Sequence, residues 1–523
     1  MRFLYDNLAA IYIAVVTSLM AWLYGGMQQD ALAPVVPWLM LFMAELLFFF
    51  PQRRSGETTY EARERVWREM KKDPLVWTAL GFIVLLAVPF LNTGLCPNCD
   101  RDLIAQGLSA DPPVKILPSC VSAANHLNVF YWFAVSLTCM IATKHCLSGG
   151  GKRLLLEMIV WNGVLLAVLG FVQIAAKAPG PLWKKPDMPW PIPCFSAWGY
   201  VNAAGDYFTT LFCIAVGLWR WRYDEARELY SHSNGASGPK PRDLFWRQNI
   251  YLVPAALFFF AAANTTSRAS IMLITSMATL FFVHAFLCFV KRIGKVARVK
   301  ATAISALVFG AMAFCVVNFM PDSARKEMKT VDSTSVLERV TGKGESHVSL
   351  ATALWKEHFL FGCGGWGYKH LSVAKMTDKQ RVSGPGAANV HNDYVQFLAE
   401  HGAVGFGALV AMVVMLLMPI VRTWRVLVKT ARFSMAGKHV PHPVQIFAIP
   451  APAFCILLAL VGTLIHAFGD CVFRSLAVMS LFFVLLAALD GFMPSVDAGE
   501  KSEEPATEPI HHHHHHHHRH AES

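Results

Sequence analysis

The chain has 523 residues, of which 54% are hydrophobic and only 15% are charged. Soluble domains typically carry about 25% charged residues, so this composition excludes an ordinary soluble protein. The net charge of +11 is divided among short basic clusters that separate apolar segments. This distribution is typical of a membrane protein, and we expect no nucleic-acid partner.

Apolar segments of membrane-spanning length recur along the whole chain. A helix needs about 20 mostly apolar residues to cross the hydrocarbon layer, and we therefore predict an all-α polytopic membrane protein with about 12 transmembrane helices. No small-residue cleavage site follows the first segment, so we expect no cleavable signal peptide. The predicted spans are 8–24, 31–50, 75–92, 127–147, 154–176, 199–219, 248–265, 269–290, 301–320, 402–421, 446–468 and 475–492.

Basic clusters fall on alternate connections between these spans. Because cytoplasmic loops are enriched in Lys and Arg, the clustered connections are expected inside, which places both termini in the cytoplasm. The clusters lie within 53–72, 144–153, 220–247, 291–300 and 422–438. The remaining connections would face outward, and the longest of them is 321–401.

We expect three regions: N-terminal helices (1–197), a transmembrane core (198–492) and a tail (493–523). The tail is polar and acidic before it ends in "HHHHHHHHRHAES", so we predict that it is disordered. This His-rich end is either a purification tag or a native metal-binding segment. It carries no information about the fold.

The outward connection 321–401 is much longer than typical loops, which have about 4–6 residues. Leu350, Leu354, His358 and Phe359 recur at roughly helical spacing, which predicts short helices on the outer membrane surface. The motif "GCGGWG" lacks the Lys-Ser/Thr that follows a phosphate-binding loop. We interpret it as a tight turn that docks an aromatic residue.

Four cysteines lie in predicted outward connections. Cys96 and Cys99 form a CxxC pair, and Cys120 and Cys194 lie further along the chain. No second CxxC is present to complete a zinc site, and the context of a thioredoxin-type redox pair is missing. One or two structural disulfides are the favoured interpretation in an oxidising compartment.

The stretch "ANVHNDYVQFLAEHGAVG" places polar and acidic residues at the start of the predicted span 402–421. Asn389 can cap a helix that begins near Val390, which would put His391 in the first turn. The helix dipole there favours neutral imidazole, the form that a general base requires. Glu400 lies two and a half turns further on, so we expect it to brace the chain near Gly402 rather than contact His391. A structural histidine is the alternative.

Two other outward ends carry ionisable residues. Arg268 lies between two apolar runs in "NTTSRASIMLIT", where an ionisable group is a functional hypothesis and snorkelling to the interface is the alternative. His466, Asp470 and Arg474 are spaced four residues apart, which predicts one helical face that either binds a ligand or pairs internally. A base together with a guanidinium suited to phosphate indicates group transfer from a phosphorylated lipid.

Four motifs in this order resemble the bacterial O-antigen ligase and polymerase superfamily. They are "TTSRAS" around Arg268, "HFLFGCGGWGY", the signature with His391-Asn392, Glu400, Gly402 and Gly405, and "HAFGDCVFRSLAVMSLFF". The resemblance covers residues 198–490, whereas the first part of the chain is similar mainly in hydropathy.

This resemblance implies a type C glycosyltransferase-like fold in the bacterial inner membrane, with a polyprenyl-diphosphate-linked glycan as donor. His391 would deprotonate the acceptor hydroxyl, and Arg268 would bind the diphosphate. Such enzymes use no metal or other cofactor, so arginine side chains would stabilise the leaving group. The remaining candidate substrate-binding residues are Asn392, His466, Asp470 and Arg474.

The chain departs from the family pattern at one point. Ligases often carry a further Arg in an Asn-Arg motif, but the corresponding stretch "GYVNAAGDYF" has Ala203 and Ala204. Candidate substitutes for that second diphosphate contact are Lys184, Lys185, Arg381 and Arg474.

Ligation of O-antigen to lipid A-core is the leading interpretation, and a polymerase or a protein O-oligosaccharyltransferase are its alternatives. A secondary transporter or flippase would also have many spans, but such proteins usually show internal repeats, and none is visible here. A metalloenzyme using His391 and Asp393 lacks further ligands with suitable spacing.

Overall fold

The computed structural model describes residues 7–27, 32–54, 56–94, 112–184, 194–232, 246–290, 346–376, 389–436 and 449–493. The predicted span 301–320 lies outside these residues, as do Cys96, Cys99, Lys185, Arg381 and the C-terminal tail. The regular elements of the described residues are all helical, so the predicted all-α class is confirmed.

The described residues form fourteen α-helices, and short 3₁₀ turns follow or join several of them. In chain order the helices are α1 (Leu8–Trp22), α2 (Val36–Phe49), α3 (Thr59–Lys72), α4 (Pro74–Ala87), α5 (Ala123–His145), α6 (Gly149–Ala175), α7 (Val201–His232), α8 (Leu252–Asn264), α9 (Arg268–Val290), α10 (His347–Glu357), α11 (Gly367–Lys375), α12 (Asp393–Ala436), α13 (Ala451–Gly469) and α14 (Leu476–Ala488).

Within the described residues, six helices are long and apolar enough to cross a membrane: α4 with the turn that follows it, α5, α6, α7, α12 and α13. Shorter apolar helices lie at Leu8–Trp22, Arg268–His284 and Leu476–Phe492. These findings support the predicted polytopic membrane protein, although they do not confirm the number of twelve spans.

Polar residues define where several of these apolar helices begin. The side chains of Ser122, Ser148 and Ser475 each accept a hydrogen bond from a backbone N–H in the first turn of α5, α6 and α14. Such caps pair N–H groups that the helix itself leaves unpaired. The caps therefore fix where these three helices begin.

Helix α7 lies at the centre of the bundle and is the most buried of the candidate spans, whereas α12 is the least buried. The neighbours of α7 include α6, α8, α9 and α13, while α5 packs against α14 and α4 against α12. Phe208 of α7 is fully buried in the core and packs near Phe195 and Phe258. Residues at the start of α7 are thus attached to the most buried of the candidate spans.

Basic residues of the described connections gather at one end of the bundle, where several pair with carboxylates. Asp73, which precedes α4, binds Lys144 and His145 at the end of α5, at 2.6 and 2.8 Å. Burial acts to raise the pKa of Asp73, but Lys144 together with the hydrogen bonds of the Leu75 N–H and His145 lowers it below the usual value. At the same end Lys152 binds Asp490 at 2.5 Å.

The long connection before α12 contains two short helices, as its apolar spacing predicts. Leu350 and Leu354 of α10 are buried, and His358 ends this helix. Trp366 in the glycine-rich turn has a left-handed backbone (φ 61°) and precedes α11. Its ring centroid lies 5.9 Å from that of Trp132, so the turn docks an aromatic residue against α5.

The predicted disulfides do not include Cys120 or Cys194, because both are free thiols. Cys120 is buried, and its Sγ lies 3.3 Å from the carbonyl oxygen of Pro89. Burial raises the pKa of this thiol, which favours the protonated form and makes the thiol unreactive.

Candidate active site

The helix that follows His391 begins at Asp393, three residues later than the sequence predicts. Asn392, not Asn389, is its cap: the Asn392 Oδ1 accepts a hydrogen bond from the N–H of Val395 at 3.2 Å. The prediction that His391 lies in the first turn was therefore wrong. The physical reason is the left-handed backbone at His391 (φ 55°), which a right-handed helix does not accommodate.

His391 precedes the cap and contacts a buried carboxylate. Its Nδ1 lies 3.3 Å from Oδ1 of Asp470, and its side chain is 43% exposed whereas that of Asp470 is 8% exposed. A carboxylate on one ring nitrogen fixes the tautomer in which the other nitrogen, Nε2, carries the lone pair. This geometry is what a general base requires, with a rigid buried partner on one side and access on the other.

Asp470 is held in place by donors that come from several directions. The Tyr200 hydroxyl and the Asn202 side-chain amide donate to its two oxygens, and the N–H of Cys471 donates at 2.7 Å. Burial acts to raise the pKa of Asp470, but the hydrogen bonds of His391 and Tyr200 and the charges of His466 and His391 together lower it to about 2. Asp470 is therefore a fixed anion at neutral pH.

Tyr200 and Asn202 are site residues that the sequence interpretation missed. They lie at the start of α7, in the same "GYVN" stretch that was compared with the family's Asn-Arg motif. Burial raises the pKa of Tyr200, so its hydroxyl stays protonated and donates. Two polar side chains in front of an apolar run were the available signal, but such residues usually serve as ordinary helix caps.

The prediction that His466, Asp470 and Arg474 share one helical face was wrong. Helix α13 ends at Gly469, Asp470 is extended (φ −155°), and a 3₁₀ turn follows at Val472–Arg474. The three residues therefore have different partners: His466 binds Asp206 at 3.0 Å, Asp470 contacts His391, and Arg474 binds Glu400 at 2.5 Å. Internal pairing, the alternative interpretation, describes His466 and Arg474.

Arg474 is only 1% exposed. Its guanidinium lies 4.8 Å from the ring centroid of Trp366 and 5.9 Å from that of Trp132. Removing either member of a buried ion pair such as Arg474–Glu400 typically costs about 3–5 kcal/mol. This arrangement supports a structural role rather than the predicted contact with a diphosphate.

Glu400 and the residues around it mark a break inside α12. Gly402 has φ 64° and ψ −174°, which interrupts the helix one turn before the apolar run. The backbone groups that the break leaves unpaired form hydrogen bonds with the preceding loop, at 2.8–3.0 Å. Before the break, the carbonyls of Ala399 and Glu400 accept from the N–H groups of Cys363 and Gly364. After it, the N–H groups of Ala403 and Val404 donate to the carbonyls of Phe359 and Leu360. The predicted bracing role of Glu400 agrees with this geometry.

The break requires glycine for steric as well as conformational reasons. A Cβ on Gly402 would lie 2.3 Å from the carbonyl oxygen of Leu360, far inside contact distance. The short helical segment 393–401 is thus held at both ends, by the Asn392 cap at its start and by the loop 359–364 at its end. His391 stands directly before this segment, so the loop helps to fix its position.

Arg268 is the first residue of α9 and lies at the same end of the bundle. Ser267 caps this helix by accepting a hydrogen bond from the N–H of Ser270 at 3.3 Å. The turn packs directly on α7, because a Cβ on Gly205 would lie 2.1 Å from the Ser270 Oγ. Gly205 in turn lies between Asn202 and Asp206 in the sequence. The structure thus places the partly exposed Arg268 beside the helix that supports Asp470.

Residues 253–410 match a protein-family model described as O-antigen ligase. The chain contains an O-antigen ligase domain. The match confirms the resemblance over these residues and supports a membrane glycan transferase of the ligase and polymerase type. A search of curated proteins found no match.

The matched O-antigen ligase domain includes Arg268 and His391 but ends before Asp470. Asp470, the partner of His391, therefore comes from the turn between α13 and α14, which follows the matched region. Its donors Tyr200 and Asn202 precede the matched region. Ala203 and Ala204 are fully buried and replace the Asn-Arg motif without adding a polar group. Lys184, a candidate substitute, is exposed.

In the described part of the chain, one set of side chains could bind a metal. The ligand atoms of His391, Asp470 and Cys471 lie within 4.8 Å of one another. The Asp470 oxygens already accept hydrogen bonds from Tyr200 and Asn202, and both burial and the Asp470 charge raise the pKa of the Cys471 thiol, which disfavours thiolate ligation. These residues fit a hydrogen-bonded His–Asp pair better than a metal centre.

Proposed function

We propose that the protein transfers a glycan from a polyprenyl-diphosphate donor to an acceptor hydroxyl at the periplasmic face of the bacterial inner membrane. The specific reaction is ligation of O-antigen to lipid A-core. The observation that carries this proposal is the exposed His391 backed by the buried Asp470 carboxylate. Polymerisation and transfer to protein use the same chemistry and differ only in the acceptor.

In the proposed reaction, His391 Nε2 accepts the proton of the acceptor hydroxyl while the oxygen attacks the anomeric carbon of the donor. The bond between that carbon and the diphosphate oxygen breaks, and polyprenyl diphosphate leaves with the bonding electrons. Asp470 stabilises the imidazolium that forms, as a buried carboxylate does in other His–Asp pairs. General-base assistance of this kind contributes about 10²–10⁴-fold to the rate.

Arg268 is assigned to the diphosphate. Its planar guanidinium can bind two phosphate oxygens at once, and a fixed positive charge stabilises the negative charge that develops as the diphosphate leaves. Donor binding and proton abstraction would thus fall to different residues. In this mechanism no metal, cofactor or nucleic acid takes part.

The test is transfer by the purified protein in liposomes that contain a polyprenyl-diphosphate-linked glycan. With lipid A-core as acceptor we expect extended lipid A-core and released polyprenyl diphosphate, both absent with His391→Ala. Longer carrier-linked glycan without lipid A-core would identify a polymerase, and glycosylated pilin-type protein would identify a protein-directed transferase. No product with any acceptor, although the wild-type protein binds the donor, would contradict the proposed function.

A further inference from the structure

A second buried His–Asp pair lies below the first, between α7 and α13. Asp206 Oδ1 contacts Nδ1 of His466 at 3.0 Å, and Asp206 Oδ2 accepts a hydrogen bond from Thr463 at 2.9 Å. Asn202 and Asp206 are one turn apart on α7. His466 lies on the facing helix α13, and Asp470 directly follows the end of that helix. The two pairs therefore form consecutive rungs of one polar row, which ends at Thr210 and Thr463.

The second pair is too deeply buried to contact substrate. The side chains of His466 and Asp206 are 0% and 2% exposed. Ionisable groups inside a membrane-spanning segment are energetically costly and usually functional. A purely structural role therefore does not explain why this pair is present. His466 was predicted to bind substrate, but its geometry directs it to Asp206 and to the neighbouring carboxylates.

His466 stands among three carboxylates. Besides Asp206, both Asp470 and Asp393 interact with it electrostatically. Asp393 is 1% exposed, and its Oδ2 accepts a hydrogen bond from the N–H of Phe473 at 2.8 Å. A buried carboxylate is stabilised by a nearby cation, and His466 is positioned to supply one between Asp206 and Asp470.

We propose that Asp206 and His466 are a positioning pair, in which a cationic His466 holds the ionised Asp470 carboxylate in place beneath His391. The proposal rests on the function proposed above, because it assigns the pair to support of the His391 base. His466 acts through Asp470 and touches neither substrate nor the reacting atoms. The other titratable or charged groups that face the two pairs are Tyr200, Cys213, Asp393, Cys471 and Arg474.

The proposal can be tested without measuring transfer. Diethylpyrocarbonate modifies unprotonated imidazole, and the exposed His391 is accessible to the reagent whereas the buried His466 is not. The rate of His391 modification, followed by peptide mass spectrometry across pH, therefore has a midpoint that reports the charges around this residue. Loss of a neighbouring positive charge makes protonation of His391 easier and moves the midpoint to higher pH.

With His466→Gln we expect the His391 midpoint to rise by about one pH unit, as removal of one nearby charge in a partly shielded site implies. Asp206→Asn should shift it in the same direction but less, because His466 then loses its counter-ion and both charges disappear. Thr210→Val removes only the last, uncharged rung and should leave the midpoint unchanged.

An unchanged midpoint in folded His466→Gln protein would overturn the proposal, since a purely structural pair alters stability but not the charge near His391. If His466→Gln is not recovered in a folded state, the His391 midpoint is measured in Asp206→Asn instead, and an unchanged midpoint there would overturn the proposal. The acidic limb of the pH–transfer profile should move in parallel. If the wild-type protein shows no transfer at all, the proposed function fails, while the modification experiment still decides the role of the pair.

Discussion

At the scale of single residues, His391 and Asp470 divide one task between an exposed base and a buried anion. Asp470→Asn replaces the carboxylate by an amide that cannot stabilise an imidazolium, so we expect the rate of glycan transfer to fall by about 10²–10⁴-fold. Donor binding should persist because Arg268, not Asp470, is assigned to the diphosphate. The measurement is kcat at saturating donor, together with a donor-binding assay.

The pH dependence of Asp470 gives this variant an internal check. The pKa of Asp470 in the folded protein, about 2, lies below the ordinary pKa of a carboxyl group. The Asp470 anion therefore stabilises the fold at every pH above that ordinary pKa. This contribution is lost as the pH falls through about 2. Between pH 5 and 8 the wild-type carboxylate does not titrate. Loss of activity in Asp470→Asn that is reversed merely by changing pH in this range would contradict its assignment.

Arg268 is the second residue on which the mechanism depends. Arg268→Lys keeps the positive charge but loses the planar fork that binds two phosphate oxygens, so we expect a severe loss of transfer with normal membrane insertion. Arg422→Lys, an exposed change on α12, is the matched control and should transfer at the wild-type rate. Near-wild-type product from Arg268→Lys in liposomes would remove Arg268 from the site.

At the scale of elements, the loop 359–364 and the short segment 393–401 behave as one unit joined at Gly402. Gly402→Ala would place a Cβ 2.3 Å from the Leu360 carbonyl oxygen at a positive φ, and we expect a loss of about 1–3 kcal/mol in stability. Transfer should fall as well, because the position of His391 depends on this segment. Thermal unfolding in detergent and the transfer rate are the two measurements.

Gly407→Ala is the matched control for this break, because it lies on the same helix and an added Cβ meets nothing within 4 Å. Alanine is the better helix former by about 1 kcal/mol, so this variant should be as stable as the wild type or slightly more stable. Equal thermal stability and equal transfer rates of the two variants would show that the helix break at Gly402 does not position His391.

The sequence predicts the helices well and the site only in part, for identifiable physical reasons. Long apolar runs determine where helices α4 to α7 and α13 lie, because lipid leaves the backbone no alternative to helix. The placement of His466, Asp470 and Arg474 on one helical face was mispredicted because the four-residue spacing implies one face only if the helix is continuous. The helix instead stops at Gly469, where the extended Asp470 is held by Tyr200 and Asn202, partners from a distant part of the chain.

At the scale of the whole molecule, the described charged residues are distributed unequally between the two ends of the bundle. Arg153 lies 3.0 Å above the ring of Trp221 and forms an ion pair with Glu157, near the ends of α6 and α7 that lie away from Asp470. Lys144 and Lys152 pair with carboxylates at this same end. The His391–Asp470 pair occupies the opposite end, as the alternation of basic clusters along the sequence predicts.

This polarity leads to a test of membrane orientation. Because Lys and Arg are enriched on the cytoplasmic side, Lys72 at the end of α3 should be cytoplasmic, and Lys356 of α10 should be periplasmic. Both are exposed, so cysteine at either position is accessible to a membrane-impermeant maleimide once the twelve native cysteines are replaced. In intact spheroplasts we expect Lys356→Cys to be labelled and Lys72→Cys to be labelled only after permeabilisation. The reverse pattern would place His391 on the cytoplasmic side and would exclude a periplasmic acceptor.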